Sequence, residues 1–280
     1  MLDELLSRMW PGVNRNQYHI EPVNGLTGES WRVRAPGNDC LARENTPQKR
    51  VLGVERQREY RILRQLLPSK LAPRPRGRWA QWLLVDWLAG ENLSPALWQD
   101  ELSGGGLARR LRQLHRRPLY GYPLNLRARY AVYWQASDPD RRCPAWLRLQ
   151  QRFMRQKMPA ALHIAPLHMD LHPGNVLRSV DGDLLLIDWE YAADGDIALE
   201  LAALVRGNDL NACEQQALLR TYCASGAGYG APVLQQRIAA WAPWVDYLMM
   251  MWYEARWGQT RQQQFVTAAT PLRRRLGLPF

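Results

Sequence analysis

Three side chains of the kind that move phosphoryl groups fall within residues 167–190, LHMDLHPGNVLRSVDGDLLLIDWE: Asp170, Asn175 and Asp188. His168 stands two positions before Asp170, Asn175 five after it, and Asp188 closes the apolar run LLLI. Asp170 can accept the proton of an attacking hydroxyl. Asn175 and Asp188 offer the hard oxygen ligands that Mg2+ takes when it bridges the phosphates of ATP. Singly, a polar turn and a strand-end Asp are ordinary features. Their joint spacing, with Pro173 and Gly174 between them, points to phosphoryl transfer from a metal-bound nucleotide. Zinc is not expected: His168 and His172 are four apart, but Pro166, Pro173 and Gly174 deny them a common helix face.

These residues need elements to hold them. Two short strands near 175–179 and 183–187 would form the hairpin that delivers Asp188. Ahead of them, residues 18–45 read as strands and turns, with a turn at Pro36-Gly37-Asn38-Asp39. Over 49–67 the apolar spacing becomes helical and stops at Pro68. WAQWLLVDW, residues 79–87, reads as one apolar strand ending at Leu88-Ala89-Gly90. Helices are expected near 96–117, 143–158, 196–206, 209–224 and 232–258. The expected fold is therefore α+β and bilobal. Residues 1–88 would be a nucleotide-binding lobe on a small antiparallel sheet, ending in the hinge strand. Residues 89–280 would be a larger, mainly helical lobe with the catalytic loop and the acceptor pocket.

Composition narrows the class. The 280 residues can bury a sizeable core, and 46% hydrophobic with 22% charged residues is ordinary for a globular chain. No apolar run approaches the ~18 residues that a membrane span requires, and the start of the chain carries acids early, so a cytoplasmic location is expected. Cys40, Cys143, Cys213 and Cys223 are too scattered for a metal motif and read as reduced thiols. The net charge of +11 comes from 37 basic residues, only three of them Lys (Lys49, Lys70, Lys157). The Arg residues are dispersed and not interleaved with exposed aromatics, so nucleic acid is not expected as a partner. A monomer acting on a small molecule is.

The spacing His168-x-Asp170-x4-Asn175, followed by a hairpin to Asp188, is that of protein-kinase-like folds. Within them the chain resembles the aminoglycoside phosphotransferase/choline kinase superfamily, in which Trp-Glu-Tyr follows the hairpin Asp, as Trp189-Glu190-Tyr191 do here. The continuation ADGDIALELAAL is also similar to that group's and places Asp196 and Glu200 at a helix start beneath the site. PLHMDLHPGN, YWQASDPDRR and GLTGES are similar to the bacterial thiamine kinases of this superfamily.

The resemblance implies ATP as donor, Mg2+ as cofactor and thiamine as acceptor, with a choline or aminoglycoside kinase as the alternative. A non-catalytic nucleotide- or RNA-binding scaffold would be an alternative of another class. The kinase resemblance makes Asp170 the base, with His168 orienting the catalytic loop, and Asn175 and Asp188 the metal ligands. His172 receives no role. Gly25, Gly28 and Ser30 would cover the phosphates, where glycines let backbone N–H groups come close. Arg43 stands where many kinases place Lys, and a guanidinium can clamp two phosphate oxygens. Glu59 would be its helical partner, with Glu55 competing. Backbone groups of Asp86 and Leu88 would meet adenine. For a cationic acceptor the candidates are Trp189, Glu190, Trp241 and Trp244, with Trp252, Trp257, Asp246 and Glu254 on the same helix.

Overall fold

The computed structural model describes residues 2–23 and 30–279. The chain divides into two compact units: Met1–Arg50, Val54–Leu93 and Pro173–Glu190 form one, and Val51–Gly53, Ser94–His172 and Tyr191–Phe280 the other. The chain is α+β, with an antiparallel sheet in the first unit and mostly helix in the second.

The sheet of the first unit runs His19–Pro22, Ser30–Ala35, Asn38–Glu44, Trp82–Asp86, Pro75–Trp79, antiparallel throughout. Its two faces follow from the period of two along Asn38–Glu44. Cys40 and Ala42 point one way and join Val33, Trp82 and Leu84 beneath Leu5 and Leu6 of the helix Leu2–Met9. Arg43 points the other way. Gly37, with φ 71°, supplies the left-handed residue of the turn between the central strands. A second, three-stranded sheet of Gly90–Asn92, Val176–Ser179 and Leu184–Leu186 carries the hairpin before Asp188.

Two expectations for this unit change. The single strand over 79–87 is a hairpin, because Ala80 turns the chain with φ 48° between Pro75–Trp79 and Trp82–Asp86. The helix over 49–67 is two helices, Pro47–Val51 and Arg56–Leu66. Between them Gly53 adopts φ 83°, and the Leu52 carbonyl accepts bonds from Arg129 Nη1 (2.7 Å) and Tyr133 Oη (3.1 Å).

In the second unit the 30-residue helix Ala231–Thr260 packs against Leu126–Ala136, Ile197–Gly207 and Gln263–Arg275. The helical segment over 96–117 consists of two helices, Pro95–Ser103 and Gly106–His115, joined at Gly104–Gly105. Helices Leu126–Ala136 and Gln263–Arg275, like Leu2–Met9, were not anticipated, nor was the two-stranded pairing of Ile164–Leu167 with Ala193–Asp196. The sequence ADGD has no strand pattern. It is held extended by its ladder and by Asp194, whose carboxylate accepts N–H bonds from Tyr120, Gly121 and Tyr122 at 2.7–2.9 Å. Among the described residues no helix is long and apolar enough to cross a membrane.

Candidate active site

In the first unit the site is organised by Arg43. The strand Asn38–Glu44 carries it to the face opposite Cys40 and Ala42, where it is 6% exposed. Such a buried guanidinium needs anions. Nη1 donates to Glu59 Oε1 at 2.5 Å, while Nη2 donates to Asp188 Oδ1 at 2.5 Å and to Glu190 Oε2 at 2.9 Å. Burial would lower the Arg43 pKa; the charges of Asp188, Glu59 and Glu190 outweigh it and raise it instead.

Glu59 lies on Arg56–Leu66 and is fully buried, whereas Glu55 is the exposed residue before that helix, so the structure selects Glu59 as Arg43's partner. Arg56 completes the cluster by donating to Glu59 at 2.6 Å and to Glu190 at 3.1 Å. Lys49 Nζ lies 3.6 Å from Glu190, and burial, opposed by Glu190, lowers its pKa. Sequence reasoning missed both cations. The available signal was that Lys49 is one of three lysines among 37 basic residues.

Asp188 emerges from the hairpin with φ 64°, a left-handed conformation that costs a non-glycine residue about 1–3 kcal/mol and that clusters at functional sites. Burial would raise its carboxyl pKa, but Arg43's charge and hydrogen bond bring it well below the usual carboxylate range. Asn175 lies across the ladder: Val176 pairs with Leu186, and the Ile187 N–H donates to the Asn175 carbonyl at 3.0 Å. An amide and an ionised carboxylate on neighbouring arms of one hairpin fit Mg2+, which takes few protein oxygens and completes its shell from water and phosphate. Among the described residues no cluster of three His, Cys, Asp or Glu offers a closed protein cage for a metal.

The other nucleotide candidates differ in placement. Gly25 and Gly28 lie outside the described residues. Ser30 opens its strand directly across from Arg43. The Asp86 N–H donates to the Arg74 carbonyl at 2.8 Å, and its carboxylate pairs with Arg76. Leu88 makes no hydrogen bond among the described residues, so its backbone polar groups are available to a ligand.

In the second unit Asp170 is half-buried. It follows Met169, whose φ of 69° is again left-handed. This turn is pinned from below. Glu200 Oε1, on the helix Ile197–Gly207, accepts the N–H of His168 at 2.6 Å and of Met169 at 2.7 Å. The Asp170 N–H in turn donates to Nδ1 of the fully buried His168 at 3.3 Å.

The acceptor candidates are drawn into packing and ion pairing. Trp189 is buried and donates to the Leu186 carbonyl at 2.8 Å, and Glu190 is the anion shared by Arg43 and Arg56. Trp241 is buried and donates to Asp196 Oδ2 at 2.7 Å; Trp244 is stacked on Tyr130 and edge-on to Phe153. Asp246 pairs with Arg206, and Glu254 with Arg141 and Arg273. Trp252 remains half-buried, with its Nε1–H on Tyr191 Oη at 2.8 Å. Its neighbour Tyr253 was not singled out from the sequence. Burial raises its phenol pKa, and the charges of Asp170 and Asp209 raise it further, which puts this ring in the field of the candidate base.

A turn that presents an Asp, a hairpin that presents an amide and an ionised carboxylate, and a clamped arginine are the parts for transferring a phosphoryl group to an alcohol. The profile of the phosphotransferase enzyme family matches residues 19–237. The chain belongs to that family. It is similar to the thiamine kinases of Shigella dysenteriae serotype 1 and Escherichia coli O81, 39% identical in each case over 98% of this chain and 94% of the relative. Among solved structures it is similar to a choline kinase from Streptococcus pneumoniae (TM-score 0.77, 17% identity, 99% of both chains). An ethanolamine kinase from Plasmodium vivax is also similar (TM-score 0.75, 17% identity, 96% of this chain and 85% of that one). At that identity these two establish the fold, which is that of protein-kinase-like phosphotransferases.

Proposed function

We propose that this phosphotransferase is a thiamine kinase, moving the terminal phosphoryl group of ATP to the hydroxyethyl oxygen of thiamine and giving thiamine monophosphate. The observation that carries the reading is the 39% identity with the thiamine kinases of Shigella and Escherichia over nearly the whole of both chains. It is supported by the intact set Asp170, Asn175 and Asp188. Asp170 orients the acceptor hydroxyl and takes its proton as the new bond forms. His168 keeps the loop in place. Arg43, fixed by Glu59 and Glu190, holds the phosphates with Gly25, Gly28 and Ser30, and backbone groups of Leu88 and Asp86 bind the base. Asn175 and Asp188 would hold Mg2+, which would supply neutralisation of the triphosphate charge. In this reading residues 1–88 form the nucleotide-binding lobe, and residues 89–280 carry the catalytic loop with the metal ligands and the acceptor pocket. The enzyme works as a cytoplasmic monomer without a nucleic-acid partner.

Thiamine carries a permanent thiazolium charge, which aromatic faces attract by ~0.5–2 kcal/mol each. Tyr253, in the field of Asp170 and Asp209, is better exposed to such a ring than the core residues Trp189, Trp241 and Trp244. The test is phosphate transfer from labelled ATP to thiamine, choline and kanamycin in parallel, with the product identified. Transfer to thiamine far above the other two is expected. Absence of labelled thiamine phosphate, with transfer to either rival, overturns the acceptor assignment.

A further inference from the structure

The bonds that Glu200 makes to the catalytic loop use only one of its oxygens. The other, Oε2, lies 2.6 Å from His115 Nε2 on the helix Gly106–His115. His115 Nδ1 lies 2.6 Å from the Tyr222 hydroxyl on the helix Ala212–Ala224. All three side chains are buried. We infer that His115 and Tyr222 are positioning residues of the phosphoryl transfer, acting through Glu200 on the left-handed turn that presents Asp170.

The directions of the bonds are set by Glu200. Burial would raise its pKa, but the His115 bond and charge and the Met169 N–H hold it below its ordinary value, so the carboxylate is ionised and acceptor-only. Nε2 of His115 must therefore carry a proton, while Nδ1 meets the Tyr222 hydroxyl on the other side of the ring. The result is a connected series: Tyr222 hydroxyl to His115 Nδ1, His115 Nε2–H to Glu200, and Glu200 receiving the backbone N–H groups of His168 and Met169 at the entry to the strained turn. Backbone held at φ 69° by a non-glycine persists only where its surroundings overdetermine it, and two donors on one buried oxygen do that. Losing the Tyr222 hydroxyl leaves Nδ1 without its partner and frees the ring to turn about its bond to Glu200. Losing the imidazole leaves a buried carboxylate oxygen bare. In either case Asp170 shifts, and a displacement of about 1 Å in a reacting geometry costs on the order of 100-fold in rate.

This inference rests on Asp170 being the base, so its test includes a readout that does not. The variants are Tyr222→Phe, His115→Phe and His115→Gln, each made in the wild-type and the Asp170→Ala background. Expected for His115→Phe is a fall in kcat of about 10- to 100-fold with KM for ATP unchanged, a smaller fall for Tyr222→Phe, and partial rescue by His115→Gln, whose amide can still donate to Glu200. In the Asp170→Ala background the same substitutions should cost nothing further, because they act through the missing carboxylate. Independently of turnover, hydrogen exchange at the His168 and Met169 amides should accelerate in Tyr222→Phe and His115→Phe. Unchanged exchange at those amides overturns the brace even if the acceptor is not thiamine. So does a kcat loss that persists in full in the Asp170→Ala background.

Discussion

Arg43 Nη2 lies 2.5 Å from Asp188 Oδ1, so the residue proposed to clamp phosphate and the residue proposed to hold the metal neutralise one another. The cluster around them is balanced: Arg43, Lys49 and Arg56 face Glu59, Asp188 and Glu190. If Asp188 turns to a divalent cation, one positive charge is left over beside Glu59 and Glu190. In the proposed function Arg43 is where that charge would meet a phosphate, still anchored by its bonds to Glu59 and Glu190. Four expectations follow from this site and its supports.

Replacing Arg43 should damage both the fold and nucleotide binding. Arg43→Ala leaves three carboxylates with two cations in a buried place, and breaking such a pair costs about 3–5 kcal/mol. Urea unfolding should register that loss, and calorimetric titration should show weakened ATP binding. Arg43→Lys, which keeps the charge but cannot span Glu59 and Asp188 with one planar group, should fall between. An Arg43→Ala protein as stable as wild type would refute the description of this cluster.

Asp170→Ala should lower kcat by about 10²- to 10⁴-fold, the usual contribution of a general base. In the proposed mechanism Asp170 meets the acceptor hydroxyl and not the nucleotide, so ATP affinity should hardly change. Single-turnover kinetics beside equilibrium ATP binding separates the two. Near-wild-type turnover sinks the mechanism.

Glu190 was expected to face the acceptor, and its bonds point to the donor side. Glu190→Gln should therefore impair handling of ATP, raising its KM or lowering kcat, while KM for thiamine stays the same. Initial rates with each substrate varied in turn decide between the two roles. A selective rise in the thiamine KM would restore Glu190 to the acceptor pocket.

Acid should destabilise the protein through Asp188 and Glu200, both held below their ordinary pKa values in the folded state. The unfolded chain then binds more protons, so their contribution is complete above about pH 5. It is lost as pH falls through about 4 towards the folded values. Urea midpoints measured from pH 7 down to pH 3 should be flat and then drop, with Glu200→Gln removing part of the drop. A midpoint that rises below pH 4 would contradict this sign.

Much of the site was legible because phosphoryl transfer demands particular side chains at fixed backbone spacing. The interval from Asp170 to Asn175 and the apolar run before Asp188 are local properties, and so is the alternation that turns Arg43 away from Cys40. The residues that escaped notice were those whose role depends on neighbours distant in the chain. Glu190 looked like an acceptor contact until Arg43, 147 residues earlier, took it. His115 and Tyr222 carry no motif, and Trp241 and Trp244 resembled a cation box until Asp196, Tyr130 and Phe153 absorbed them into the core.

The sequence by itself determined the reaction: the order and spacing of Asp170, Asn175 and Asp188 admit little else, since each needs only the loop or hairpin it sits on. Tertiary structure alone decided which carboxylates steady Arg43, that Glu200 holds the Asp170 turn, and that Gly53 breaks a helix the apolar period would have continued. Buried charges choose their partners by desolvation, and a buried ion must find its counter-charge wherever the fold brings one within reach. No periodicity along the chain records that choice.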